Sequence, residues 1–169
     1  MKRISILLCC ILVFQLLVGC VAADKDIQEP VNFYYINKDI SYNAPNGVIS
    51  SEIREGSQFH DFEDLLRVYL AGPISSELQS FVPVDTSLMT CDVDENTAYV
   101  LLSEQFAKLS GVKLTIASSA ILLTANESFG IQTIRIQAEN AKLDDKEAFV
   151  LTMDDIILTD ATMSENIKE

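Results

Sequence analysis

The chain of 169 residues has no tryptophan, one histidine, and only 12 lysines and arginines against 25 aspartates and glutamates. Each shortage closes off a class of function. A Ser-His-Asp or Cys-His arrangement would have to use His60, and no G-x-S-x-G or other nucleophile elbow accompanies it. A zinc site needs three or four His, Cys or carboxylate ligands, and His60 with Cys91 falls short. Glycoside hydrolysis needs two carboxyls held a fixed distance apart across a sugar cleft. The acidic residues single out no such pair, and no tryptophan platform exists to hold a sugar. The scarcity of basic residues argues against nucleic acid, which is bound by displacing counterions with lysine and arginine. It also argues against electrostatic adsorption to an anionic membrane, which repels acidic chains. The expectation is therefore no catalytic residue, no metal, no cofactor and no nucleic-acid partner.

What is present begins at the N-terminus. Met1-Lys2-Arg3 is a short basic start, Ile4 to Val18 is almost unbroken apolar sequence, and Leu17-Val18-Gly19-Cys20 closes the segment. A basic region, an apolar region and a small residue before a cut describe a secretory signal. The apolar run, about sixteen residues, is shorter than the roughly 20 that a membrane-crossing helix needs. A cysteine directly after small residues resembles the bacterial lipobox, in which Cys20 receives a diacylglyceryl group and becomes the new N-terminus. Residues 1–19 are thus read as a lipoprotein-type signal and Cys20 as the site of lipidation. Without the signal the chain keeps ten basic and 25 acidic side chains, a formal charge of about −15. Membrane attachment must then come from lipid, and stable anchoring needs two acyl chains rather than one. Cys91 is left without a partner, so no disulfide framework is expected and Cys91 should be buried as a small apolar residue.

Residues 20–30 read as a polar linker, at most about 35 Å long when extended, which holds the following domain close to the membrane. Val31 to Ile36 is aromatic and β-branched, a first strand. Asn43 to Gly47 is a turn, and Val48 to Arg54 a short strand. Phe62, Leu65, Leu66, Tyr69 and Leu70 share one face of a helix. Ser57 or Asp61 caps its start, and Gly72-Pro73 ends it. Leu88–Val93 and Thr97–Ser103 form a hairpin. The alternation of apolar Tyr99 and Leu101 with Val100 and Leu102 predicts a second strand covered on both faces. Asp92-x-Asp94-x-Asn96 copies the opening of an EF-hand loop, but Thr97 and Ser103 stand where that loop needs glycine and glutamate, so it reads as the hairpin turn.

A second helix opens at Ser110-Gly111 and reaches about Asn126, with Leu109, Val112, Ile116, Ala120 and Leu123 as its buried stripe. Ile131 to Ile136 alternates like a half-buried strand. Residues 138–146 read as a polar loop, and Phe149–Leu151 with Ile156–Leu158 as a further short strand or hairpin. Residues 159–169 read as an acidic, disordered tail. The order strand, helix, hairpin, helix, strand predicts an α+β fold: a small antiparallel or mixed sheet with two helices packed on one face. It occupies a single domain over residues 31–158.

The run Leu65-Leu66-Arg67-Val68-Tyr69-Leu70-Ala71-Gly72-Pro73 resembles the L-L-x-x-L-x-x-G-P helix end of the GerMN domain. The resemblance continues through Phe81 to Leu88, with the proline and threonine that precede the family's hairpin. Asn96 to Phe106 is similar to G-x-A-x-V-d-L-S-x-x-F, and Ile121-Leu122-Leu123-Thr124 to the family's threonine-ended helix. The likeness covers about residues 31 to 138.

It implies a fold like the ring-building modules of envelope-spanning complexes. It also implies a lipid-anchored module without known catalysis, associated with sporulation and germination. The expected protein is a non-catalytic lipoprotein on the extracytoplasmic face of the cell membrane, held by lipid on Cys20. Its expected partner is another envelope protein or a second copy of itself. The alternative is an extracytoplasmic lipoprotein that binds a peptide or cell-wall fragment between sheet and helices.

Overall fold

A computed structural model describes residues 30–39 and 47–156. The signal segment, Cys20, the linker up to Glu29, most of the expected turn, Ile157-Leu158 and the acidic tail lie outside the described residues. None of the helices described is long and apolar enough to cross a membrane.

The fold is α+β, and its strands divide into two sheets. The first holds β1 (Pro30–Asn37), β2 (Ile49–Glu55) and the short β3 (Leu78–Gln79), in the order β2-β1-β3, all antiparallel. The second holds β4 (Leu88–Asp94), β5 (Thr97–Leu102), β6 (Thr133–Ala138) and β7 (Phe149–Thr152) in chain order, with β5 and β6 parallel and the outer pairs antiparallel. Between the sheets run α1 (Phe62–Leu70) and α2 (Gly111–Phe129). The parallel β5–β6 pair follows from the intervening helix, since parallel neighbours need a long crossover.

α1 is amphipathic as its spacing requires. Phe62, Leu65, Leu66 and Tyr69 are buried, and Asp61 caps its start by accepting from the backbone N–H of Asp64 at 2.9 Å. The buried rings stack: Tyr69 lies 4.7 Å from Tyr35 and 6.4 Å from Phe33, centroid to centroid.

α2 departs from the expected stripe. Val112 is 74% exposed and Ile116 only partly buried, whereas every residue from Ala117 to Ala125 is buried. The reason is position: α2 packs on β1 on one side and on β6 and β7 on the other, and a helix enclosed on several sides loses its single apolar face. It also runs three residues beyond Asn126, to a left-handed Gly130 whose N–H donates to the Asn126 carbonyl at 2.8 Å. β3 covers β1 only at Ile36 and Asn37. At Tyr34 the backbone N–H donates instead to Thr124 Oγ1 of α2 at 2.9 Å, and that hydroxyl donates to the Ala120 carbonyl. A helix hydroxyl thus takes a donor from the open edge of a strand.

A buried ion pair locks β2 to the end of α1. The Arg54 guanidinium lies 4.4 Å over the Phe33 ring, pairs with Glu52, and donates to the carbonyl of Gly72 at 2.8 Å. Glu52 in turn accepts from the backbone N–H groups of Ile74 and Ser75. Burial alone pushes the Glu52 carboxyl up, but those two N–H groups and Arg54 outweigh it and hold it below the usual range.

Candidate interaction surface

The residues weighed for chemistry in the sequence do not converge. His60 is exposed ahead of α1, where its backbone N–H donates to Asp64. Cys91 is half-buried rather than fully buried, because β4 is an edge strand and its middle packs on α1. Burial first, then the nearby carboxylates of Glu63, Asp61 and Asp92, push its thiol up to about 11, with Arg67 opposing. At neutral pH it is a thiol and a poor nucleophile. Asp92, Asp94 and Asn96 are spread along β4 and its tight turn, with Glu95 at φ +52°. Two further aspartates hold local structure. Asp144 accepts from the Gly111 N–H at the start of α2, at 3.0 Å, and Asp155 accepts from the backbone and hydroxyl of Thr152.

Two of the hollows that the described residues form lie near the open sheet face and the end of α2. One, of about 250 Å³, lies between the start of β1 and the end of α2, lined by Val31, Asn32, Phe59, Leu65, Glu127 and Phe129 among others. At its rim Glu127 accepts from Asn32 at 2.5 Å and from the Tyr34 hydroxyl at 2.6 Å. Burial, followed by that bond and charge, raises the Tyr34 phenol to about 12. The other, of about 460 Å³, is a polar recess between Leu101, Gln137 and the loop that carries Lys142 and Glu147. The first is smaller than the roughly 300–1,000 Å³ of ordinary ligand sites, and the second lacks their apolar lining.

A continuous feature of the described residues is the outward face of the four-stranded sheet. Ala98, Val100 and Leu102 of β5, Ile134, Ile136 and Ala138 of β6 and Leu151 of β7 point into the core. Strand alternation sends Tyr99, Leu101, Arg135, Gln137 and Val150 the other way. Tyr99 is 43% and Val150 50% exposed. The second hairpin strand is therefore covered on one face, not both: the two helices and the other sheet all lie on the same side. Register aligns Asp92, Tyr99, Arg135 and Val150 in one row across the four strands. Nothing in the β6 alternation alone marked Arg135, because only the β5–β6 register sets it beside Tyr99.

The sporulation and spore germination family named Germane matches residues 32–144. The chain belongs to the Germane family. Among solved structures it is similar to the tandem GerMN domains of the sporulation protein GerM from Bacillus subtilis. That likeness has 15% identity and a TM-score of 0.52, and covers 73% of this chain and 43% of that one. The first GerMN domain of the same protein gives 16% identity and a TM-score of 0.49, over 69% of this chain and 86% of that one. A candidate lipoprotein from Clostridium perfringens gives 20% identity and a TM-score of 0.49, covering 75% and 89%. No curated protein matches the chain. At these identities the structural likeness speaks to the fold, and the α+β arrangement of this Germane domain is the one it shares with the tandem GerMN domains. The family ties the chain to sporulation and spore germination.

Proposed function

We propose that this Germane protein is a lipid-anchored, non-catalytic interaction module on the extracytoplasmic face of the membrane. The observation that carries the reading is its family membership, with a signal ending in Leu17-Val18-Gly19-Cys20 ahead of the domain. In this reading Cys20 bears the lipid, and the linker keeps the domain within about 35 Å of the bilayer. The domain acts in sporulation or germination by presenting a rigid surface to another envelope protein or to its own copies. The open sheet face suits that task, since its side chains stand on a paired and packed backbone and need little ordering on contact.

Two measurements test the reading. Cys20→Ser should move the protein from the membrane fraction to the soluble fraction, and retention of that variant on membranes counts against the anchor. Cross-linking of tagged full-length protein in cells should capture envelope-assembly components or its own copies. A second reading, a binder of a peptide or wall fragment, draws on the hollow beside Glu127. It predicts a ligand-dependent rise in melting temperature of the purified protein.

A further inference from the structure

We infer that the open face of the four-stranded sheet pairs with the same face of a second copy, about a two-fold axis running along β5. The inference deepens the interaction-module reading and rests on it. The β4–β5 and β5–β6 register sets Asp92, Tyr99 and Arg135 in one row. Neighbouring strands lie about 4.8 Å apart, so Asp92 and Arg135 flank Tyr99 symmetrically and stand about 10 Å from each other. The Arg135 side chain is exposed and has no ion pair or hydrogen bond among the described residues, so its guanidinium is available to a partner.

A two-fold axis in the plane of the interface and parallel to β5 sends each strand to its mirror position on the other side of β5. Tyr99 then meets Tyr99 of the second copy. Asp92 meets Arg135 of the second copy, and Arg135 meets its Asp92, giving two ion pairs from one row. The neighbouring rows agree. Thr90, Leu101 and Gln137 share a row, so leucine meets leucine and Thr90 meets Gln137. Asp94, Thr97 and Thr133 share the next, so the Asp94 carboxylate meets the hydroxyl of Thr133. A self-complementary patch of this kind is what an isologous interface requires.

The same geometry sets the strength. About an axis on β5 only β4, β5 and β6 overlap, since β7 has no counterpart beyond β4. Three strands of about six residues project roughly 300 Å² per copy, well below the ~800 Å² per partner of a standard stable interface. The net negative charge of both copies opposes their approach. The pairing therefore belongs to the weak class and is populated where copies are concentrated, as on a membrane surface.

The test uses the full chain in native membranes. In a Cys91→Ser background, which removes the thiol beside Glu63, Tyr99→Cys oxidised with copper–phenanthroline should give a disulfide-linked dimer, while Glu63→Cys on the exposed side of α1 should give none. In the Tyr99→Cys background, Asp92→Arg or Arg135→Glu alone should lower the cross-linked fraction about tenfold, since each sets like charges against each other. Asp92→Arg with Arg135→Glu should restore it. Cross-linking at 99 no greater than at 63, or single reversals without effect, overturns the pairing. Loss of cross-linking in the double reversal equal to that in the singles does so too. Capture of a different envelope protein with no cross-link at 99 removes the pairing and leaves the interaction-module reading standing. Capture of neither removes both.

Discussion

Replacing Arg54 by methionine should be among the most damaging single changes in the domain. The Arg54 side chain is 8% exposed and its partner Glu52 11% exposed, so the substitution leaves a nearly buried carboxylate without its cation. Breaking a buried pair from one side costs about 3–5 kcal/mol. Glu52 still accepts from Ile74 and Ser75, which favours the lower end, near 3 kcal/mol. Lost along with the pair are the bond to the Gly72 carbonyl and the contact with the Phe33 ring.

Urea unfolding followed by circular dichroism measures the effect. With a slope of about 2 kcal/mol per molar, the midpoint should fall by roughly 1.5 M. Glu52→Gln combined with Arg54→Met should cost less than the sum of the singles, because the double change removes the stranded charge. The pH dependence has a definite sign. The folded-state Glu52 carboxyl is depressed, so its stabilising contribution is complete above the ordinary carboxylate range and is lost as pH falls through the lowered value. In the Arg54→Met protein that carboxyl rises, so the deficit should be largest at neutral pH and shrink in acid. A midpoint shift below about 0.5 M, or additive single and double changes, would refute the reasoning.

Two further changes probe local physics. Gly130→Ala should cost about 1–2 kcal/mol, all of it backbone, because Gly130 sits at φ +68° with nothing within 4 Å of an added Cβ. An unchanged urea midpoint would mean that the end of α2 relaxes at no cost. Cys91, whose thiol is pushed up to about 11, should react with iodoacetamide at pH 7.5 at least tenfold more slowly than a free thiol, and accelerate as the pH approaches 11. Alkylation at the rate of an exposed cysteine would show that the edge of the sheet opens freely.

Much of this molecule was legible in its sequence. Local rules suffice where an element's partner is its own neighbour in the chain. The spacing of Phe62, Leu65, Leu66 and Tyr69, the Asp61 cap and the Gly72-Pro73 stop placed α1 at its observed residues. Asp94-Glu95-Asn96 likewise joined β4 to β5, and the alternation Ile134, Ile136 oriented β6. The α+β class followed from element order. The family was legible through motifs that are themselves local.

Tertiary structure decided what depends on residues far apart in the chain. The division into two sheets arises because β1 pairs with β2 and β3, and a two-residue strand such as Leu78–Gln79 carries no period to detect. The burial of α2 on nearly every side comes from its place between the sheets, so Val112 and Ile116, apolar at helical spacing, fell on the wrong turn and face. Whether Tyr99 faced core or solvent was undetermined by alternation, since both faces of β5 are apolar, and only the helices' shared side of the sheet settled it. Arg54 and Glu52 looked like ordinary strand charges until the fold brought Phe33, Gly72 and Ser75 around them. The row Asp92–Tyr99–Arg135 exists only in the register of three strands, the last of them reached through a helix of 19 residues. Side-chain period is a property of each segment, whereas which face is covered and which row is shared are properties of the packed chain.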